Sequence, residues 1–152
     1  AGEAQATFLA AAGLNRLGES GTGHPLPADE WLPAPGQAAI AIECRANDDA
    51  TRSLLAAIDH APSRHAVLAE RALLAALGGN CHSPIAVLTQ TEDEHLTLRA
   101  AIFSPDGAHR TEVEASFAAG DPDGPERLAA DLLAQAPEAI TVHFAGPAAA
   151  GS

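Results

Sequence analysis

Apolar residues recur at helical spacing from Ser63 to Leu77, where Val67, Leu68, Leu74 and Leu77 mark one stripe and Gly78-Gly79 ends it. Beyond that point the period changes. Pro84–Gln90, Leu96–Ser104 and Arg110–Phe117 alternate as strands do, with Thr91–Glu94 and Pro105-Asp106-Gly107 supplying the turns between them. Gly124-Pro125 opens a second helix reaching about Ala136, with Leu128, Leu132 and Leu133 inward, and Ala139–Phe144 reads as a last strand. Residues 61–144 therefore predict the order α-β-β-β-α-β. That is an α+β fold, two layers deep, with a mostly antiparallel sheet of three or slightly more strands packed on helices.

The first 60 residues follow a different pattern. Residues 6–17 predict a short buried strand running into a helical turn, with Gly13 allowing close packing. Residues 18–37 hold so much Gly and Pro that they predict a connector. Ala38–Cys44 is a nearly unbroken run of small apolar residues, the signature of a strand covered on both faces. A helix is predicted at 48–59, capped by Asp48 or Asp49, with Leu54, Leu55 and Ile58 on one face, and broken at His60-Ala61-Pro62. These pieces predict remnants of α/β domains whose partner strands lie outside the chain. Residues 146–152 predict a flexible tail.

Composition narrows the partners. The 152 residues carry twenty acids against eight Arg and no Lys, a formal charge of −12. Such a surface repels polyanions, so nucleic acid and anionic membranes are not expected partners. No stretch approaches the roughly 18–20 apolar residues that span a bilayer, and no basic-then-apolar leader opens the sequence. The absence of Met predicts a processed, trimmed or partial chain. Two Cys make no disulfide framework, which leaves the cytoplasm as the expected compartment. Cys44, inside the apolar run, is expected to be a buried, inert thiol.

Cys81 differs, because Gly78-Gly79-Asn80 before it and His82-Ser83-Pro84 after it place it on a loop between helix and strand. A thiol there could be a nucleophile, a metal ligand, an attachment point or filler. Zinc is poorly supported, since no second Cys stands at a ligand spacing beside His82 and His65. A Cys81-His82 pair rarely has the geometry of an activated nucleophile. The flanking glycines favour exposure, or close approach of a large group to the backbone.

Three segments settle on one family. Leu9-Ala-Ala-Ala-Gly-Leu-Asn-Arg16-Leu-Gly18, Leu32-Pro-Ala-Pro-Gly-Gln37-Ala-Ala-Ile-Ala-Ile-Glu-Cys-Arg45 and Glu70-Arg71-Ala-Leu-Leu-Ala-Ala-Leu-Gly-Gly-Asn-Cys81-His-Ser-Pro-Ile-Ala86 stand in the order found in porphobilinogen deaminases. The Ser104-Pro-Asp-Gly107 turn adds to a resemblance running from about Ala6 to Phe144. It implies a transferase of tetrapyrrole (haem and porphyrin) biosynthesis, also called hydroxymethylbilane synthase. Such enzymes condense four porphobilinogen molecules head to tail, with release of ammonia, on a covalent dipyrromethane cofactor.

The resemblance places the cofactor thioether at Cys81, with Gly13 and Arg16 as further cofactor-binding positions and Gln37, Arg45 and Arg71 as substrate-binding ones. Arg suits the acetate and propionate groups because its planar fork meets a carboxylate in two parallel hydrogen bonds. Arg71 has Val67 and Ala75 four positions away, so no carboxylate neutralises it at that spacing. The implied organisation is the end of a second, substrate-cleft domain at 1–31, a return segment of the first domain at 32–60, and a third, cofactor-attachment domain at 61–145. The family's catalytic Asp falls on no residue of this chain, and no metal is implied. Eight Arg among twenty acids could not build a strongly basic cleft, as expected for a carboxy-terminal portion that is inactive alone. The intact family is usually monomeric, and self-association of the portion is left open. The other reading is a separate cofactor-carrying subunit that needs an amino-terminal partner chain. One departure stands out: the family's usual Gly-Gln-Gly is Gly36-Gln37-Ala38 here, which predicts a less permissive backbone.

Overall fold

The computed structural model describes Gly2 and residues 4–145, which fall into two compact units divided between Trp31 and Leu32. The predicted 146–152 tail lies outside the described residues.

The first unit contains one short helix, α1 (Ala11–Leu17), closed by Gly18 in a left-handed conformation. Among the described residues no strand precedes it: Phe8 and Leu9 are exposed, and the Phe8 and Trp31 rings stand 6.3 Å apart between centroids. A Cβ built on Gly13 would touch nothing within 4 Å, so the expected close packing there is also missing. A strand needs a neighbour to receive its hydrogen bonds, and this unit offers none.

The second unit holds the core. Helix α2 (Asp49–Leu55) is capped by Asp48, whose carboxylate accepts from the Thr51 N–H at 3.0 Å, and runs into a 3₁₀ turn at Ala56–Ile58. Helix α3 (Ala61–Ala76) begins two residues before the predicted Ser63. His60 takes the capping position, and Pro62, expected as a breaker, sits in the first turn, where its missing N–H has no partner to lose. Strands β1 (Ile85–Glu92), β2 (His95–Phe103) and β3 (Arg110–Ala118) form an antiparallel sheet in sequence order. Helix α4 (Gly124–Gln135) packs beside α3 on one face. The fold is the predicted α+β arrangement, with a three-stranded sheet.

Strand register follows the side-chain alternation. Val87 pairs with Ala100 and Ala100 with Val113, and Leu96, Leu98 and Ile102 of the same inner face are fully buried against Leu73, Leu77, Leu128 and Leu132. On the outer face Thr97 bonds Ser116, and Arg99 and Arg110 share Glu112, beside the buried Ala86 and Ala101. Burial raises the Glu112 pKa, but the bonds from Arg99 and Arg110 outweigh it and hold the carboxyl below its usual range.

The predicted strand at 139–144 is a helix instead, α5 (Glu138–Thr141). Pro137 starts it, its carbonyl accepting from Ile140 N–H at 2.9 Å and Thr141 N–H at 3.1 Å. Ile140 and Phe144, four apart, both enter the core, whereas Val142 is 65% exposed. Period four, not two, is what the burial obeys.

Ala38–Cys44 also forms no strand. Ile40 and Ile42 are 85% and 56% exposed, and Cys44 is exposed rather than buried. The run has strand-forming chemistry but no ladder to join among the described residues. Similarly, Leu54 and Ile58 of the predicted inward face are exposed.

The β2–β3 turn carries a titratable lock. Asp106 accepts from the Ser104 hydroxyl at 2.6 Å and the Ala108 N–H at 3.1 Å, which holds its carboxyl below the ordinary range. A carboxyl with a lowered folded pKa stabilises above its unfolded pKa, and that contribution is lost as pH falls through the folded value. The stability gap between the wild type and Asp106→Asn is expected to stay constant above about pH 5 and to narrow steadily as pH falls below about 4. Urea titrations at stepped pH measure it.

Candidate functional site

Cys81 follows a helix end built by glycine. The Gly79 N–H reaches the Leu74 carbonyl and the Gly78 N–H the Ala75 carbonyl, both at 2.9 Å, with Gly78 at φ +66°. This double closure stops α3 and turns the chain outward. Space at Gly79 is also tight: a Cβ there would lie 2.5 Å from Leu74 Cδ1, at the end of a side chain that can move, and 3.2 Å from the Leu74 carbonyl oxygen.

The next turn is held by its own side chains. Ser83 Oγ accepts from the Asn80 N–H at 2.9 Å, Asn80 Oδ1 accepts from the His82 N–H at 2.8 Å, and the Ser83 N–H returns to the Asn80 carbonyl at 3.0 Å. Cys81 is therefore a solvent-exposed thiol on a fixed backbone. Beside it lies an open cavity of about 410 Å³ lined by Asn80, His82, Ser83, Pro84, Pro105 and His143. Cys81 itself does not line that cavity, but its exposure leaves the thiol open to carry a covalent group. Among the described residues no three His, Cys, Asp or Glu side chains converge as metal ligands.

The remaining expected positions divide between the two units. Gly13 and Arg16 lie on α1, in the first unit. Gln37, Arg45 and Arg71 belong with Cys81 to the second, and all three are exposed. Arg71 lines a groove of about 610 Å³ with Gly36, the 38–42 run, Leu55 and Ile58. Gln37 stands on the turn at the groove's edge, while Arg45 and Cys81 are not among its lining residues.

The guanidinium groups fall into two classes. Arg52–Asp49 (3.5 Å), Arg64–Asp59 (3.0 Å) and Arg127–Asp121 (2.8 Å) are ion pairs, and Arg99 and Arg110 both meet Glu112. The other three are Arg16, Arg45 and Arg71, and none of them is paired with a carboxylate among the described residues.

Glu70 is the residue that sequence reasoning passed over. Half-buried on α3, its carboxylate joins the Gly36 N–H (2.6 Å) to the Thr89 hydroxyl (2.7 Å). One partner stands 34 positions away, so no local pattern could have shown the link.

Comparison with known proteins bears on the same segments. Residues 1–53 match the family model described as porphobilinogen deaminase, dipyromethane cofactor binding domain, and residues 65–136 match porphobilinogen deaminase, C-terminal domain. Gly13, Arg16, Gln37 and Arg45 lie in the first match, Arg71 and Cys81 in the second. Curated relatives named porphobilinogen deaminase include that of Sphingopyxis alaskensis, 52% identical over 95% of this chain and 46% of its own length. Those of Moorella thermoacetica and Xanthomonas campestris are 46% and 44% identical, over 86% and 84% of this chain and 42% of their own lengths. The chain thus spans under half the length of these relatives. With two models of one family covering most of its residues, the chain belongs to the porphobilinogen deaminase family.

Proposed function

We propose that this chain is the cofactor-tethering portion of an enzyme that condenses four porphobilinogen molecules into hydroxymethylbilane with release of ammonia. In this reading residues 1–31 end the substrate-cleft domain, 32–60 are the return segment of the first domain, and 61–145 form the third domain. When bound, dipyrromethane supplies the end on which the pyrrole chain grows. Cys81 holds it through a C–S bond, which survives aqueous conditions that would hydrolyse an ester or thioester. The rigid 80–83 turn keeps that anchor point fixed while its sulfur side faces solvent. Gly13 and Arg16 take the cofactor side, and Gln37, Arg45 and Arg71 the substrate side.

The observation that carries the reading is the pairing pattern of the arginines. A guanidinium already bound to Asp or Glu must break that pair before it grips a ligand carboxylate, and among the described residues Arg16, Arg45 and Arg71 have no such pair to break. The chain supplies no catalytic acid or base, and alone it turns over no porphobilinogen.

The test compares arginines within the active enzyme that contains this chain. Arg45→Ala and Arg71→Ala are each expected to raise KM for porphobilinogen about tenfold or more, the range of a lost hydrogen bond to a charged group. Arg52→Ala and Arg64→Ala remove the same formal charge from paired positions and are expected to change KM less than about twofold. Equal effects in the two sets would mean that net charge, not open guanidinium groups, governs binding.

A further inference from the structure

The turn at residues 36–38 is strained, and one side chain ties it down. Gly36 has φ +71°, which costs glycine nothing, but Ala38 has φ +64°, where its Cβ crowds the following carbonyl. The turn's own bonds are an ordinary one, Gln37 N–H to the Ala34 carbonyl at 3.1 Å, and a long one, Ala39 N–H to the Gly36 carbonyl at 3.3 Å. Two firmer links come from outside it. The Val87 N–H on the free edge of β1 reaches the Pro33 carbonyl at 2.7 Å. Glu70 Oε2 accepts from the Gly36 N–H at 2.6 Å, while the Thr89 hydroxyl holds Oε1 at 2.7 Å.

We infer that Glu70 is a positioning residue: its carboxylate holds the Gly36-Gln37-Ala38 turn in the left-handed form and so fixes Gln37 against the α3–β1 layer that ends in Cys81. A hydrogen bond to a carboxylate is roughly twice as strong as one between neutral groups, which suits a clamp working against local strain. Thr89 keeps the carboxylate from rotating away, because both oxygens are engaged. Glycine at position 38 would need no such clamp; alanine does. The consequence for substrate rests on the reading of Gln37 given above, whereas the clamp itself does not.

Amide hydrogen exchange on the labelled chain tests the clamp directly. In Glu70→Gln the Gly36 amide is expected to exchange about tenfold faster, while Leu98 in the central strand keeps its protection. Thr89→Val, which leaves Gly36 untouched, is expected to move the same amide in the same direction by less. The deciding variant is Glu70→Gln with Ala38→Gly, in which relief of the left-handed strain restores most of the Gly36 protection. An unchanged Gly36 amide in Glu70→Gln, or a double variant as unprotected as the single, overturns the proposal. In the active enzyme, Glu70→Gln is expected to raise KM severalfold with little change in kcat, and Ala38→Gly to reverse that rise. If exchange responds as described and KM does not, the clamp stands and the substrate role of Gln37 falls.

Discussion

Replacing Cys81 by serine is expected to abolish hydroxymethylbilane synthesis by the enzyme that contains this chain, while leaving the fold of its carboxy-terminal unit intact. The substitution changes one exposed atom on a turn whose hydrogen bonds come from Asn80 and Ser83, so stability should move by no more than about 0.5 kcal/mol. Chemistry should change completely, because a thiol supplies the thiolate that forms the tether and a serine hydroxyl stays protonated. Urea midpoints and turnover of the same preparation separate the two effects. Serine-variant protein that folds and still turns over would remove Cys81 from the mechanism.

The second large effect concerns a glycine far from any candidate chemistry. Gly124 starts α4 directly under the Phe117 ring, and a Cβ there would lie 2.4, 2.6 and 2.8 Å from three ring carbons. Phe117 is buried at the end of β3 among Leu96, Leu128 and their neighbours, so the ring has little room to yield. Gly124→Ala is expected to cost roughly 2–3 kcal/mol, the upper part of the usual range for overpacking. Gly13→Ala is the contrast: the position is helical, its Cβ would meet nothing within 4 Å, and alanine is the better helix former by about 1 kcal/mol. Its helix should be unharmed or strengthened. Equal losses at both positions would mean that crowding at Phe117 is not the cause.

The legible elements of the fold were those whose burial is decided by neighbours in sequence. The β1–β2–β3 meander alternates inward Leu96 and Leu98 with outward Thr97 and Arg99, and its turns carry their own chemistry at Asp93 and at Ser104-Asp106. Helix α4 turns Leu128, Leu132 and Leu133 inward as expected, whereas on α3 only Leu77 of the expected stripe is fully buried: Leu68 is exposed, and Ala69, Leu73 and Ala76 make the inner face. Where burial depends on something distant, local pattern misleads. Ala38–Cys44 has the residues of a covered strand, yet a strand is made by its partners, and none reaches it here. Ile140-Thr-Val-His-Phe144 alternates like a strand, but Pro137 organises it as a helical turn that buries only positions 140 and 144.

The same division holds for the candidate site. Exposure of Cys81 could be read from the glycines beside it, because a helix end is a local event. Alanine at position 38, where the family usually has glycine, predicts a less permissive backbone; that Ala38 nonetheless stands at φ +64° could not be read from the sequence. The Glu70 link joins residues 36, 70 and 89, and no periodicity relates them. Nor could sequence alone show that, among the described residues, five arginines pair with carboxylates and three do not, since the Arg99–Glu112 pair forms only through strand register.

Peptide mass mapping of the active enzyme tests the central claim most directly, because the chain has two exposed thiols and only one is assigned to the cofactor. The mass of a dipyrromethane group should lie on the peptide containing Cys81, with the Cys44 peptide unmodified, and Cys81→Ser should remove it. An adduct found on Cys44, or one that persists in the serine variant, would contradict the assignment.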